Sequence, residues 1–170
     1  GLTNLVELSI SDCDDLTPLS GLSNLANLHI SGSEFLTDLA PLSNLTNLTE
    51  LKFSSCNSLS DLSSLSGLTS LIKLNLPECE SLSDLSPLSG LVNLTELNLN
   101  TCISINEFPP LSGLTSLERL YLARCPSLTK IEGLSVLTNL KSLSLRECAS
   151  LSADQVDELR AALPNCEIMF

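Results

Sequence analysis

The sequence predicts an α/β repeat solenoid in which every repeat adds one short strand to a parallel β-sheet. Three observations predict it: a 23-residue period, an alternating apolar core in each unit, and apolar residues at every third position elsewhere. Such a period indicates stacked supersecondary units. Only the first unit, from Gly1, is three residues shorter. We therefore interpret residues 1–170 as a single domain of seven repeats, followed by a C-terminal cap over residues 152–170.

The strand of each repeat is predicted by its alternation. In the fifth unit, the segment "LTELNLN" places Leu97 and Leu99 on one side and Glu96, Asn98 and Asn100 on the other. A unit this small cannot bury its own leucines. Stacked units can bury them in one continuous core, which lays the strands side by side.

The segment after each strand predicts turns rather than regular helices. Its apolar residues recur at every third position, as in Leu82, Leu85 and Leu88, which suits 3₁₀ or irregular turns. Proline is frequent here because no sheet hydrogen bond is lost in a turn. These prolines are Pro18, Pro41, Pro87, Pro109 and Pro110.

The C-terminal segment "SLSADQVDELRAALPNCEIMF" predicts one capping helix. Ser152 and Gln155 have the spacing of a capping box, and Val156, Leu159 and Leu163 form an apolar helical stripe.

The 23-residue register also predicts an eighth strand within "LPNCEI". There Leu163, Cys166 and Ile168 take the places of Leu140, Leu143 and Leu145. Cys166 would then fill the core at a strand leucine position. No matching cap is present at the N-terminal end, which predicts further repeats before Gly1.

The motif "LTELNLNTC" resembles the leucine-rich repeat pattern L-x-x-L-x-L-x-x-N/C, and this resemblance covers essentially residues 1–170. The segment "DLSPLSGLVNL" is similar to repeats of bacterial internalins, whereas the cysteine after the strand is similar to repeats of plant-type intracellular immune receptors. The resemblance implies a horseshoe with a concave parallel sheet and convex 3₁₀ or irregular turns. It also implies protein–protein recognition through the concave face.

Composition and motifs argue against several function classes. The net charge of −12 with only eight basic residues is unfavourable for binding nucleic acid or an anionic membrane. No apolar run approaches the roughly 20 residues of a transmembrane helix. The sequence shows no nucleophile–base pair, phosphate loop or metal-ligand cluster, so we expect no enzymatic activity, no cofactor and no metal.

Six cysteines share one repeat position, where the second unit has Ser33 instead. They are Cys13, Cys56, Cys79, Cys102, Cys125 and Cys148. Serine can donate a hydrogen bond but cannot form a disulfide, so a small polar group is what this position retains. A straight column does not give the tetrahedral convergence that zinc needs. Disulfides between neighbouring coils under oxidation remain an alternative, but the unpaired thiols favour a reducing, intracellular compartment.

His29 is the only histidine and is expected to be an exposed residue of the concave face. A catalytic set with Ser9 or Ser31 and Asp12 is conceivable. However, no oxyanion hole or nucleophile elbow accompanies it.

Two further patterns have structural interpretations. Acidic residues recur every 23 residues at Asp38, Asp61, Asp84 and Glu107, continuing to Lys130. One acid per coil does not supply the roughly six to eight oxygens of a calcium site, so we expect bonds to the turn backbone. The sequons at Asn44, Asn47 and Asn93 follow from the repeat itself, and we expect no glycosylation there.

The outward strand positions vary among the repeats, whereas the inward positions barely do. The predicted partner-binding residues are Arg119, Tyr121, Arg124, Lys141, Arg146, Asn98, Asn75, Lys52 and His29. Tyrosine and arginine are enriched at binding hot spots, and a basic patch on an acidic molecule favours an acidic segment of a protein partner. The alternative is a structural spacer or consensus-type scaffold without a dedicated ligand.

Overall fold

The computed structural model of the chain describes residues 3–109 and 111–170 and contains one parallel sheet of eight strands in sequence order. The strands are β1 (Glu7–Ser11), β2 (Asn27–Ser31), β3 (Glu50–Ser54), β4 (Lys73–Asn75), β5 (Glu96–Asn98), β6 (Arg119–Tyr121), β7 (Ser142–Ser144) and β8 (Glu167–Met169). From β2 to β7, paired residues lie 23 apart, as in Leu74 and Leu97. The predicted repeat solenoid is thereby confirmed. The predicted repeat start at Gly1 and the turn proline Pro110 lie outside the described residues.

The inward side chains form one hydrophobic core. In the fifth repeat every apolar position of the template is buried: Leu91, Leu94, Leu97, Leu99, Cys102, Ile105, Phe108 and Leu111. Outward strand residues beside them, such as Glu96 and Asn98, are only half-buried. The predicted alternation of inward and outward positions is therefore confirmed.

Most repeats cross from one strand to the next through a 3₁₀ turn, as predicted. These turns are Thr17–Leu19, Ala40–Leu42, Ser63–Leu65, Ser86–Gly90 and Glu132–Val136. Over the described residues, the fifth repeat has an isolated parallel bridge from Glu107 to Lys130 instead. Phe108 and Pro109 each precede a proline, which disfavours helical backbone angles at both.

The C-terminal helix α1 (Ala153–Ala162) is confirmed together with its capping box. Ser152 Oγ accepts a hydrogen bond from the Gln155 N–H, and the Gln155 side chain accepts one from the Ser152 N–H. Val156 and Leu159 are buried, and α1 packs beside the 3₁₀ turn Glu132–Val136 of the preceding repeat. Within residues 3–109 and 111–170, no helix is both long and apolar enough to cross a bilayer.

The predicted register of the eighth strand is wrong by two residues. Ile168, and not Cys166, pairs with Leu143, so the offset is 25 instead of 23 residues. An α-helix rises about 1.5 Å per residue and a 3₁₀-helix about 2.0 Å, so a helical crossover needs more residues to span the same width. Cys166 is consequently half-buried beyond the end of α1 and does not occupy a strand leucine position.

Each coil leaves its strand through one residue with a left-handed backbone. The residues are Asp12, Gly32, Ser55, Glu78, Thr101, Arg124 and Glu147, with φ between 52° and 65°. Except for Glu147, their N–H groups donate to a carbonyl of the next coil, as in the 2.9 Å bond from Thr101 N–H to Ala123 O. Only Gly32 is a glycine, so the sequence carries little signal for this bend.

Replacing Thr101 by glycine should stabilise the fold. A β-branched residue with φ of 62° is strained by about 1–2 kcal/mol, which exceeds the roughly 0.5–1 kcal/mol that glycine costs through unfolded-chain entropy. We expect a higher urea midpoint for Thr101→Gly. Thr115→Gly, at a position without positive φ, should lower the midpoint. Equal losses in both variants would contradict the strain at Thr101.

Candidate functional site

The outward side chains of the strands form the outer sheet face, which is the face predicted to be concave. The strand pairing aligns the middle outward residue of every strand into one row, the central row: Ser9, His29, Lys52, Asn75, Asn98, Tyr121, Ser144 and Met169. Five of the nine predicted partner-binding residues thus lie side by side on consecutive strands.

The other four predicted residues surround the C-terminal part of this row. Arg119 lies on β6 with Tyr121. Lys141 directly precedes β7, whereas Arg124 and Arg146 follow the strands of their coils. Lys141 and Arg124 therefore border the outer sheet face at opposite strand ends and do not form one patch.

Three of the predicted basic residues are already paired with carboxylates. The pairs are Arg119 Nε with Glu96 Oε2 (3.0 Å), Lys141 Nζ with Glu118 Oε1 (2.6 Å), and Arg124 with both carboxylate oxygens of Glu147 (3.0 and 3.2 Å). The hydrogen bond to Glu96 raises the pKa of Arg119, and the bond from Lys141 lowers the pKa of Glu118. The charge at this end of the face therefore alternates between the coils.

Two cations have no such partner. Six of the eight basic side chains have a carboxylate oxygen within 4.0 Å. Among the described residues, Lys52 and Arg146 have none, and both lie on the outer sheet face. Four strand steps separate their coils, which corresponds to about 19 Å.

His29 lies in a shallow polar pocket at the N-terminal end of the central row. The pocket has a volume of about 260 Å³ and is lined by Glu7, Leu8, Ser9, Asn27, Leu28, His29, Glu50 and Lys52. The imidazole is half-buried, which corrects the expectation of an exposed side chain, and its Nε2 atom is buried without a hydrogen-bond partner. Burial first, and then the charge of Lys52, lowers the pKa of His29.

The same geometry gives no support to a catalytic set. Ser9 lies opposite His29 on β1, but Nε2 accepts no hydrogen from a hydroxyl group. Asp12 does not line the pocket, and its backbone N–H bonds to Ser31 O instead.

The cysteine column joins the coils through hydrogen bonds, as expected for a structural role. Cys102 Sγ donates to Leu76 O (3.1 Å), and the same bond recurs from Cys125 to Leu99 O and from Cys148 to Leu122 O. These three thiols each satisfy the carbonyl of the residue that directly follows the strand of the preceding coil, whereas the thiols of Cys56 and Cys79 lie near carbonyls of their own coil. All seven cysteines are free thiols.

Burial controls the acidity of these thiols. It raises the pKa of Cys79 and Cys125 to about 12, and it raises the pKa of Cys56, Cys102 and Cys148 as well. A thiol that stays protonated is a weak nucleophile and a weak metal ligand. No group of three or more His, Cys, Asp or Glu side chains converges for metal binding in the part of the chain that the structure describes.

Serine at the second repeat keeps a polar bond at this position. Ser33 is fully buried, and its Oγ accepts a 3.0 Å bond from the Cys13 backbone N–H. The expectation that the position retains a small polar group is confirmed.

The acidic column caps the turns, as predicted for its aspartates. The Oδ1 atoms of Asp38, Asp61 and Asp84 each accept the backbone N–H two residues later, at 2.8–2.9 Å. These bonds lower the pKa of Asp61 and Asp84. Glu107 differs, because its carboxylate pairs with Lys130 at 3.3 Å.

A second ladder was missed by the sequence reasoning. The side-chain amides of Asn24, Asn47, Asn93 and Asn139 donate to backbone carbonyls of the preceding coil at 2.6–2.9 Å. Their recurrence at multiples of 23 residues was the available signal. Two of the three sequon asparagines, Asn47 and Asn93, thus have a structural role.

Comparisons with known proteins agree with this architecture. A two-copy leucine-rich repeat pattern matches residues 92–136. The crystal structure of internalin C2 from Listeria monocytogenes is 30% identical over 98% of this chain and 71% of that chain, with a TM-score of 0.73. The chain belongs to the leucine-rich repeat family. No curated protein matches it significantly in sequence.

Two other leucine-rich repeat structures extend the comparison. A TLR13–ssRNA13 complex is 27% identical over 99% of this chain but only 26% of that chain, with a TM-score of 0.73. Another Listeria internalin, 23% identical over 99% of this chain and 62% of that one (TM-score 0.55), shows the shared fold alone. Leucine-rich repeat domains are commonly protein–protein interaction modules and are typically non-enzymatic.

The buried thiols predict that stability falls at alkaline pH. Their folded-state pKa lies above the unfolded value of about 8.5, so their contribution is complete below pH 8.5 and is lost as pH rises towards 12. Above pH 9, Cys79 and Cys125 should each lower the free energy of unfolding by about 1.4 kcal/mol per pH unit. Urea unfolding between pH 8 and 10 measures this slope.

Removing two thiols should make that slope shallower. In the double variant Cys79→Ser and Cys125→Ser, we expect the free energy of unfolding to fall less steeply with pH, by about 2.7 kcal/mol per pH unit. Thr115→Ser, which removes no thiol, should leave the slope unchanged. Identical slopes in wild type and double variant would show that buried thiols do not cause the loss.

Proposed function

We propose that this leucine-rich repeat domain recognises a protein partner through its outer sheet face and carries no catalytic machinery of its own. The observation that supports this most is where the repeats differ. Inward positions are nearly all leucine, isoleucine or cysteine, whereas the central row runs from serine through histidine, lysine and asparagine to tyrosine. Variation without a packing role favours a recognition surface.

The central row has the chemistry of a protein-binding surface. Tyr121 is half-buried beside Arg119, so it offers a large amphipathic contact that loses little side-chain entropy on binding. Asn98 and Asn100 use their Oδ1 atoms for the backbone N–H groups of Asn100 and Ala123. Their positions are thereby held by the fold, which reduces the ordering cost of binding.

The charges favour a protein partner with acidic groups over a nucleic acid. Binding to a phosphate backbone needs clustered Lys and Arg side chains, and one similar structure is described as an RNA complex. Within the described residues, this chain leaves only Lys52 and Arg146 unpaired, about four strand steps apart. Two separated cations suit two acidic side chains of a protein better than a continuous row of phosphates.

The spacer or scaffold remains the second candidate because of the ion pairs. Arg119, Arg124 and Lys141 are each satisfied within the chain, as expected for a face without a ligand. If the domain is a spacer or scaffold, substitutions in the central row should not change the binding of any protein.

Affinity capture with a pair of matched variants separates the two candidates. Arg119→Ala with Tyr121→Ala removes the proposed anchor together with the Glu96 ion pair. Lys130→Ala removes the equivalent inter-coil pair with Glu107, outside the eight-stranded sheet. A protein recovered by the wild type and by Lys130→Ala, but at least tenfold reduced with the double variant, is the expected result.

One result of the capture experiment would contradict the proposed anchor. If the double variant recovers every protein that the wild type recovers, the proposed anchor at Tyr121 is wrong. Both variants should keep the wild-type melting temperature to within a few degrees, since exposed ion pairs contribute about 0–1 kcal/mol each.

A further inference from the structure

The N-terminal pocket combines two nitrogen groups that lack partners. Lys52 Nζ has no carboxylate within 4.0 Å among the described residues, and His29 Nε2 is buried without a hydrogen bond. The two residues are register partners on β2 and β3, and adjacent strands lie about 4.8 Å apart. Two donors at this spacing suit the two oxygens of a single carboxylate.

The present ring orientation of His29 is unfavourable without a ligand. A buried polar atom without a partner costs about 1–3 kcal/mol. Rotation of the imidazole about χ2 would turn its nitrogen edge towards the pocket that the ring already lines. A carboxylate placed there would accept a hydrogen bond from His29 and would pair with Lys52.

The acidic neighbours limit this attraction without reversing it. Glu7 on β1 and Glu50 on β3 also line the pocket. Glu50 lies 3.9 Å from Lys73 on β4, so Lys52 and Lys73 balance the two glutamates. With the imidazole neutral, the charge around the pocket is close to zero although the whole chain carries −12.

We infer that the pocket bounded by β1, β2 and β3 binds the carboxylate of an acidic side chain of a protein partner, held by Lys52 and His29. His29 takes up a proton from solvent when the carboxylate binds, because the new negative charge lies beside its ring. The inference rests on the proposed function, since it places one partner contact on the outer sheet face.

Proton uptake makes the binding pH-dependent. The pKa of His29 is lowered in the free protein, so the ring is neutral at pH 7. Binding should strengthen as pH falls from 7.5 to 5.5, by up to tenfold for each unit by which the carboxylate raises this pKa. As the only histidine, His29 reports its own titration without overlap.

Two capped tripeptides test the pocket without a known partner. Acetyl-Gly-Glu-Gly-amide carries one carboxylate, and acetyl-Gly-Gln-Gly-amide has the same shape without the charge. The imidazole signals of His29 are followed by NMR at pH 5.5 and 7.5. We expect a saturable shift with the glutamate peptide, with Kd on the order of tens of millimolar, and at least fivefold weaker binding of the glutamine peptide.

Substitutions test whether Lys52 holds the carboxylate and whether Glu7 repels it. Lys52→Gln should weaken binding of the glutamate peptide at least fivefold, and Lys130→Ala should leave this affinity unchanged. Glu7→Gln, which removes a repelling carboxylate, should strengthen binding, and loss of folding cannot produce that result.

Equal binding of both peptides, no saturation with either, or an unchanged affinity in Lys52→Gln would overturn the inference. Such a result leaves the capture test at Tyr121 and Arg119 unaffected. Conversely, a failed capture test leaves the tripeptide measurement valid, so the two failures are distinguishable.

Discussion

Every other feature of this protein depends on the stacking of coils in a fixed register. One coil presents leucines that it cannot bury and strand carbonyls that it cannot satisfy. Its neighbour covers both at once, through leucine contacts and inter-strand hydrogen bonds. The thiol of Cys102 and the amide of Asn93 satisfy carbonyls of the preceding coil that the strands leave unbonded. Because every coil repeats the leucine contacts and the strand pairing, the inward positions cannot vary freely.

The same constraint determines where function can reside. Variation is tolerated only where a side chain leaves the core, and the outer sheet face arranges such positions in straight rows about 4.8 Å apart. Stacking also brings charges of neighbouring coils together, so that Arg119 meets Glu96 and Lys141 meets Glu118. Paired charges contribute little to binding because they already have partners. What remains for a ligand is Tyr121, the asparagines, and the unpaired groups at His29, Lys52 and Arg146.

Most of the fold could be predicted from the sequence, because the same residue pattern recurs in every repeat. Strands, buried leucines, turn-capping aspartates and the helix from Ser152 follow from periods of two, three and 23 residues. The pairing of β8 did not follow from these periods. A helix rises less per residue than the turns of the other repeats, so the crossover needs more residues, and Ile168 takes the place expected for Cys166. The half-burial of His29 and the pairing of Arg124 with Glu147 depend on side-chain directions between coils. A one-dimensional pattern places such residues on a face but does not choose their partners.

We propose that a partner contacts the central row and not the turns. Hydroxyl-radical footprinting of the partner-bound protein tests it directly, because the chain has oxidisable side chains in both regions. His29, Tyr121 and Met169 are half-buried members of the central row, whereas Phe35 is 75% exposed outside it. We expect slower oxidation of Tyr121 and His29 in the complex, with no change at Phe35. Protection of Phe35 with unchanged rates at Tyr121 and His29 would contradict it.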